Sequence, residues 1–169
     1  MKKVCLVILS LLIFQINADN KKEQPIPENQ FGIQFSVEKG GGSSFGLCWY
    51  KPCFEMGVFT SITWDNAILK NERYVPGVFI GYRTKITPTT YFALGVEYIT
   101  IFGKIAGTKI DYYHIGSPYL SIEKYLFGNN CMILAWVNPY KFSLYKLHGS
   151  GRILKNEVLA TGLAFNYMF

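Results

Sequence analysis

The stretch Thr161-Gly-Leu-Ala-Phe-Asn-Tyr-Met-Phe169, at the carboxyl end, carries a large apolar residue at every second position. An extended chain sends alternate side chains to opposite faces. Leu163, Phe165, Tyr167 and Phe169 therefore share one face, and Gly162, Ala164, Asn166 and Met168 share the other. In a soluble sheet the face opposite a large apolar one usually carries charge. This stretch has none, and its second face is mostly small or polar. The contrast predicts a strand with its bulky face toward lipid and its small face toward a crowded interior.

Working back from that end, eight alternating segments are separated by turn signals. They run approximately from Phe31 to Glu38, Phe45 to Tyr50, Cys53 to Thr63, Val75 to Lys85, Thr90 to Phe102, Tyr112 to Tyr125, Cys131 to Phe142 and Asn156 to Phe169. The connections Lys51-Pro52, Thr87-Pro88-Thr89 and Gly128-Asn129-Asn130 are tight and rich in Pro, Gly or Asn. Most of the others are longer: Lys39 to Ser44, Trp64 to Tyr74, Gly103 to Asp111 and Ser143 to Lys155. Short turns on one side, longer loops on the other and an even strand number are what an outer-membrane barrel requires. A sandwich has no reason to keep that asymmetry.

The amino end has the layout of a secretory signal peptide: Met1-Lys2-Lys3, an apolar run from Val4 to Ile16, then Asn17-Ala18-Asp19. Residues 1–18 are expected to be removed, 19–30 to form a polar periplasmic lead-in, and 31–169 to form the barrel. No later segment supplies the ~18 apolar residues of a membrane helix. Charged residues make up 17% of the chain, against ~25% in ordinary soluble proteins, so the many aromatics need an apolar environment. Setting aside Lys2 and Lys3, 15 basic residues face 11 acidic ones. That mild excess, with no basic helix and no interleaving of basic and aromatic residues, gives no nucleic-acid reading.

Across most of the mature chain the pattern resembles the small eight-stranded outer-membrane β-barrels of the OmpA and OmpX kind. The leader and the lysine-rich loops are also similar to small surface barrels of spirochaetes. The resemblance implies an all-β fold, an eight-stranded antiparallel up-and-down transmembrane β-barrel, located in the outer membrane. It implies outer-membrane lipid and the outer-membrane assembly machinery as partners, with Leu163, Phe165, Tyr167 and Phe169 as the assembly signal. Ala164 departs from the usual signal, which has a Gly there. Barrels of this kind include structural proteins and host-protein binders, so the fold leaves the function open.

Charges on the strands fall on the small-residue face, where a carboxylate can meet a cation instead of lipid. Gln34, Glu38, Glu55, Arg83, Glu97 and Glu123, with Ser36, form the expected interior polar cluster, and Arg83 is expected to pair with Glu97 on the neighbouring strand. Pro118 interrupts its strand and predicts a bulge. Aromatics near strand ends suggest two interfacial girdles. Trp49, Tyr50, Phe54, Tyr91, Phe92, Phe127, Tyr167 and Phe169 would form the periplasmic one; Trp64, Tyr74, Phe102, Tyr112, Tyr113, Tyr140 and Tyr145 would form the outer one.

Catalytic signals are weak. His148-Gly149-Ser150 is similar to the His and Ser of outer-membrane lipid A deacylases, but Gly151 follows where those enzymes have Asn, and the pair falls in an expected loop. His114 and Ser117 lie on opposite faces of a strand. The chain is accordingly read as non-enzymatic, with a lipid-modifying enzyme or a small pore as alternatives. Cys48 and Cys53 flank a turn and are read either as a bridge across the hairpin or as small apolar fillers, and the spacing does not choose between them. No cofactor or metal is called for. Eight strands enclose room for side chains and little more, which leaves the outer loops as the binding surface. There Lys104, Lys109, Lys146 and Arg152 suggest contact with a host protein or a sulfated glycan.

Overall fold

The computed structural model describes residues 26–38, 42–63, 73–105, 107–126 and 129–169. The expected signal peptide, most of the lead-in, Trp64 and Phe127 lie outside these. The described residues form strands β1 (Gln30–Glu38), β2 (Gly42–Lys51), β3 (Phe54–Thr63), β4 (Arg73–Thr87), β5 (Thr90–Thr100), β6 (Phe102–Ile105), β7 (Thr108–Leu126), β8 (Cys131–Leu147) and β9 (Arg152–Met168). The sheet order is β3-β2-β1-β9-β8-β7-β5-β4, and β3 pairs with β4 to close it. All neighbours are antiparallel. The short β6 continues the line of β5 past Ile101, whose N–H donates to Tyr113 O at 2.9 Å. The result is a closed, all-β, eight-stranded antiparallel barrel.

Alternation fixes the two faces. On β3, Met56 and Val58 point out while Glu55 and Gly57 are buried; on β5, Leu94, Val96 and Tyr98 point out while Ala93 is buried. On β9, Phe165, Tyr167 and Phe169 are exposed and Ala164, Asn166 and Met168 are buried. The terminal strand, β9, pairs with β1, from Gly32 opposite Met168 to Glu38 opposite Gly162. The Phe169 N–H extends that ladder, donating to Phe31 O at 3.0 Å.

Two segments expected as outer loops are largely strand. Lys104 pairs with Lys109 and Ile105 with Thr108 around Gly107. Lys146 pairs with Arg152 beyond the turn at Gly149. Both glycines have positive φ, 81° and 78°, a backbone state that costs glycine little. They permit tight turns, and apolar residues within the segments hold the extension. Val75, Ile99, Ile101 and Ile110 form an apolar cluster against which Tyr113, Ile115 and Leu147 pack. β7, β8 and β9 have 19, 17 and 17 residues, while β1 and β2 have 9 and 10. At about 3.4 Å per residue, the described strands on one side of the barrel run roughly 24–34 Å further than those on the other.

The bulge expected near Pro118 is present. Gly116 pairs with Phe142 and Leu120 with Val137, so β8 spends one more residue than β7 between the two pairs. Pro118 and Pro139 lie in this gap, where neither has an N–H to give.

Glycines on the inner face make room for rings. A Cβ on Gly77 would fall on the Phe59 ring, one on Gly57 on the Phe79 ring, one on Gly95 on the Tyr119 ring and one on Gly162 on the indole of Trp136. Each aromatic thus lies over a bare stretch of a neighbouring strand. Gly77→Ala is expected to lower stability by about 1–3 kcal/mol through overpacking, and Phe59→Leu in the same chain to recover part of that loss. Urea titration of the single and double variants measures both effects; additive losses would show that the Phe59 ring and Gly77 are not in contact.

Candidate functional site

The lower interior, beside the short turns, is organised by Arg83. β4 aims this residue inward between Gly81 and the turn at Pro88, and its side chain is 1% exposed. Nε and Nη2 donate to Glu123 Oε2 at 2.8 and 2.5 Å, Nη2 donates to Tyr125 OH at 3.0 Å, and Nη1 donates to Lys51 O at 3.0 Å. Glu55 Oε2 lies 3.8 Å from Nε, and the Tyr119 hydroxyl donates to the other oxygen of Glu55. The guanidinium also sits over the rings of Tyr91 and Tyr50, 4.4 and 4.7 Å from their centroids. A planar, fully charged group with five donors suits this combination of fork and stack. Asn166 Nδ2 donates to Tyr50 OH at 2.9 Å, tying the layer to β9. Ile26 packs against the apolar side of the same layer, and Gln30 Nε2 donates to Asn129 O at 3.2 Å, so the end of the lead-in folds back under the barrel.

Above this layer the interior becomes a two-sided chamber. Phe59, Phe79 and Trp136 line one part of it, and Gln34, Ser36, Glu38, Glu97, Asn138 and Lys141 another, around a cavity of about 210 Å³. Lys141 Nζ donates to Glu38 Oε1 at 2.8 Å. Asn138 Nδ2 donates to Ser117 Oγ at 2.7 Å, and that hydroxyl donates to Tyr140 O at 2.9 Å. The expectation that eight strands leave no usable space is therefore corrected. Glycines opposite the rings and the bulge in β8 leave the upper interior incompletely filled.

The expected Arg83–Glu97 pair does not form. Arg83 is opposite Ala93 and Glu97 opposite Phe79, an offset of four positions, or roughly 13 Å along the strand. Arg83 meets Glu123 and Glu55, while the charges acting on Glu97 are those of Lys141 and Glu38. Gln34, Glu38, Glu55, Arg83, Glu97 and Glu123 all lie inside but divide between two levels. Tyr50 and Tyr91, expected in the periplasmic girdle, are buried against Arg83. Tyr113, expected in the outer girdle, instead packs on the upper apolar cluster and stacks with Tyr145. Strict alternation from Phe45 and Phe92 assigns Tyr50 and Tyr91 correctly. Nearness to a turn is the weaker guide.

Lys104, Lys109, Lys146 and Arg152 lie on strands rather than loops, in two like-charged pairs facing each other across the ladder, Lys104 with Lys109 and Lys146 with Arg152. Asp111 Oδ2 is 3.6 Å from Lys146 Nζ, and its Oδ1 is 3.4 Å from His148 Nδ1. Ser150 Oγ accepts from Leu147 N at 3.1 Å and donates to Leu147 O at 2.8 Å, so this hydroxyl is turned to its own backbone. His114 stacks between Tyr98 and Tyr112 and bonds the Tyr98 hydroxyl at 2.7 Å. Ser117 is buried on the opposite face. Cys48 is buried, Cys53 lies in the exposed turn and Cys131 is half-buried; all three are free thiols, so the bridge across the hairpin is not formed.

No family model and no curated protein matches the chain. Among solved structures, a major outer membrane protein from Thermus thermophilus aligns with 85% of this chain and 100% of its own, at 12% identity and a TM-score of 0.38. That likeness is too distant to assign a family.

The Arg83 layer makes a numerical expectation. A double-mutant cycle between Arg83→Met and Glu123→Gln should give a coupling well outside error, and one between Arg83→Met and Glu97→Gln a coupling near zero. Arg83→Met alone should cost about 3–5 kcal/mol, because two buried carboxylates lose their cation. Urea midpoints of the refolded protein supply all the values; a larger coupling to Glu97 would reverse the assignment.

Proposed function

We propose that this chain is an integral outer-membrane β-barrel without catalytic activity, whose lipid-embedded wall carries a raised basic rim that binds polyanionic surfaces. The observation that carries the membrane reading is the outer face of the closed barrel. Phe31, Ile33, Phe35 and Val37 on β1, Leu47 on β2, Val58 on β3, Val78 and Ile80 on β4, Leu94 and Val96 on β5, and Phe165 on β9 are all exposed. These strands are neighbours around the wall, so the residues form a continuous apolar belt. Monomeric soluble proteins rarely expose apolar patches beyond a few hundred Å². In a bilayer the belt is matched, and closure leaves no unpaired strand edge within it.

Orientation follows from the connections. The turns at Pro52–Cys53 and Pro88–Thr89 and the terminal strand end share one side, which is the periplasmic one in a barrel of this type. The tall β6–β9 side then projects outward with Lys104, Lys109, Lys146 and Arg152. Lys104 opposite Lys109 and Lys146 opposite Arg152 concentrate positive charge on this rim, which a sulfated glycan, a lipid phosphate or an acidic host protein would complement. Leu163, Phe165, Tyr167 and Phe169 remain the proposed signal to the assembly machinery, since three of them present their rings outward.

Leu94→Arg, in the middle of the belt, is expected to reduce folding stability in lipid vesicles by about 2–4 kcal/mol, while the wild-type chain shows a heat-dependent shift on SDS gels. For the rim, binding to heparin should weaken steadily with salt and fall further when the four basic residues become Ser. A belt variant as stable as wild type, or recovery of the folded chain from water without lipid or detergent, would overturn the membrane reading. Heparin binding unaffected by salt and by the four changes would overturn the rim.

A further inference from the structure

The chamber above the Arg83 layer has a shortage of hydrogen-bond donors and positive charge. Among the described inward-facing residues, the ion pairs of Glu38, Glu55 and Glu123 are made by Arg83 and Lys141, and Glu97 has none. Arg83 serves Glu123 and Glu55, and Lys141 serves Glu38. Glu97 lines the cavity with no hydrogen bond to its carboxylate among the described residues. Two further acceptors are also unmet: Gln34 Oε1 and Asn138 Oδ1 are buried without a partner. Asn138 is 0% exposed and lines the cavity. Its amide orientation is set by its neighbour. The Ser117 hydroxyl hydrogen is spent on Tyr140 O, so Ser117 must accept from Nδ2, which leaves Oδ1 as the open atom.

The buried unpartnered atoms of this chamber, Gln34 Oε1 and Asn138 Oδ1, are thus acceptors, and Glu97 adds a carboxylate to the same lining. A buried polar atom without a partner destabilises the fold, so an occupant that donates hydrogen bonds and brings positive charge relieves several such atoms together. The rest of the wall sets the occupant's other end. Phe59, Phe79 and Trp136, with Ile99 and Val75, offer rings and apolar side chains, and ring faces attract cations as well as apolar groups. The cavity, about 210 Å³, is below the ~300–1,000 Å³ of pockets for drug-sized ligands. Glu38 marks the upper end of the cavity, and its side chain is 37% exposed while the Lys141 side chain beside it is 13% exposed.

We infer that this chamber binds a small organic cation, a primary ammonium on a compact apolar body, with the ammonium held by Glu97, Asn138 Oδ1 and Gln34 Oε1 and the body against Phe59, Phe79 and Trp136. The site is separate from the basic rim, which selects the opposite charge, so either reading can fail without the other. The Glu38–Lys141 pair at the mouth leaves the deeper Glu97 as the carboxylate that the ligand neutralises.

The test uses the full chain refolded in zwitterionic detergent micelles, with the heat-dependent gel shift verifying the fold of each sample. 2-Phenylethylammonium is titrated by calorimetry, with 2-phenylethanol as the neutral probe of the same shape and empty micelles as the blank. Saturable single-site binding is expected for the ammonium. It should be weaker by about tenfold or more for the alcohol and in Glu97→Gln, the scale of one hydrogen bond to a charged group. Equal binding of the alcohol, undiminished binding by Glu97→Gln, or no saturable uptake by folded wild-type protein would each overturn the inference. Should Glu97→Gln fail to fold, the comparison of ammonium with alcohol on wild-type protein decides alone.

Discussion

Closure of the backbone ladder is the constraint on which everything else in this molecule depends. The β3–β4 pairing, Phe54 opposite Tyr82 through Ser61 opposite Val75, joins the two ends of a sheet that would otherwise present unpaired N–H and C=O groups along both edges. Once the ring is closed, each strand has one face inside and one outside, and the alternation of side chains becomes a division of environments. The apolar belt is tolerable because of this closure. An open sheet with the same sequence would bring bare edges into the same apolar surroundings.

Closure also creates the problem that the interior must solve. Eight strands define a tube that aromatic side chains nearly fill, and the inner faces carry carboxylates that need partners. The lower half answers with one guanidinium shared among Glu123, Glu55, Tyr125, the Lys51 carbonyl and the rings of Tyr50 and Tyr91. Because almost every member touches Arg83, the layer behaves as one unit and links β2, β3, β4, β5 and β7. The upper half is looser. The β8 bulge turns both Asn138 and Lys141 toward the interior although they are three residues apart, and the space beside them stays open. Tight plug below and open chamber above follow from the same barrel circumference, filled by different side chains.

The fold was legible in the sequence because its main signal has a period of two and repeats around the whole ring. The terminal run from Leu163 to Phe169, the outward Val78, Ile80 and Tyr82, and the inward Gly77 and Gly81 all follow from alternation alone. Partner choice inside the barrel was not legible. Which carboxylate meets Arg83 depends on register and on contacts across the lumen, and Glu123 reaches it from β7, which is not a neighbour of β4 at that level. Lys141 was hidden for another reason: a bulge at Pro139 shifts the alternation by one, so simple counting from Met132 assigns it to the wrong face. The strand extensions around Gly107 and Gly149 were masked by turn residues and lysines, whose composition resembles a loop while the apolar residues between them hold a ladder.

If one face of this closed sheet meets lipid and the other does not, Trp49 and Trp136 should differ in their contact with it. Trp49 stacks on Phe31 and edges against Phe54 on the outer face, whereas Trp136 lies over Gly162 inside. With Trp64 replaced by Phe, and then either Trp49 or Trp136 replaced as well, the remaining indole can be measured alone in vesicles containing brominated lipid. Strong quenching of Trp49 fluorescence and little of Trp136 is expected. Equal quenching of the two, or quenching of Trp136 alone, would contradict it.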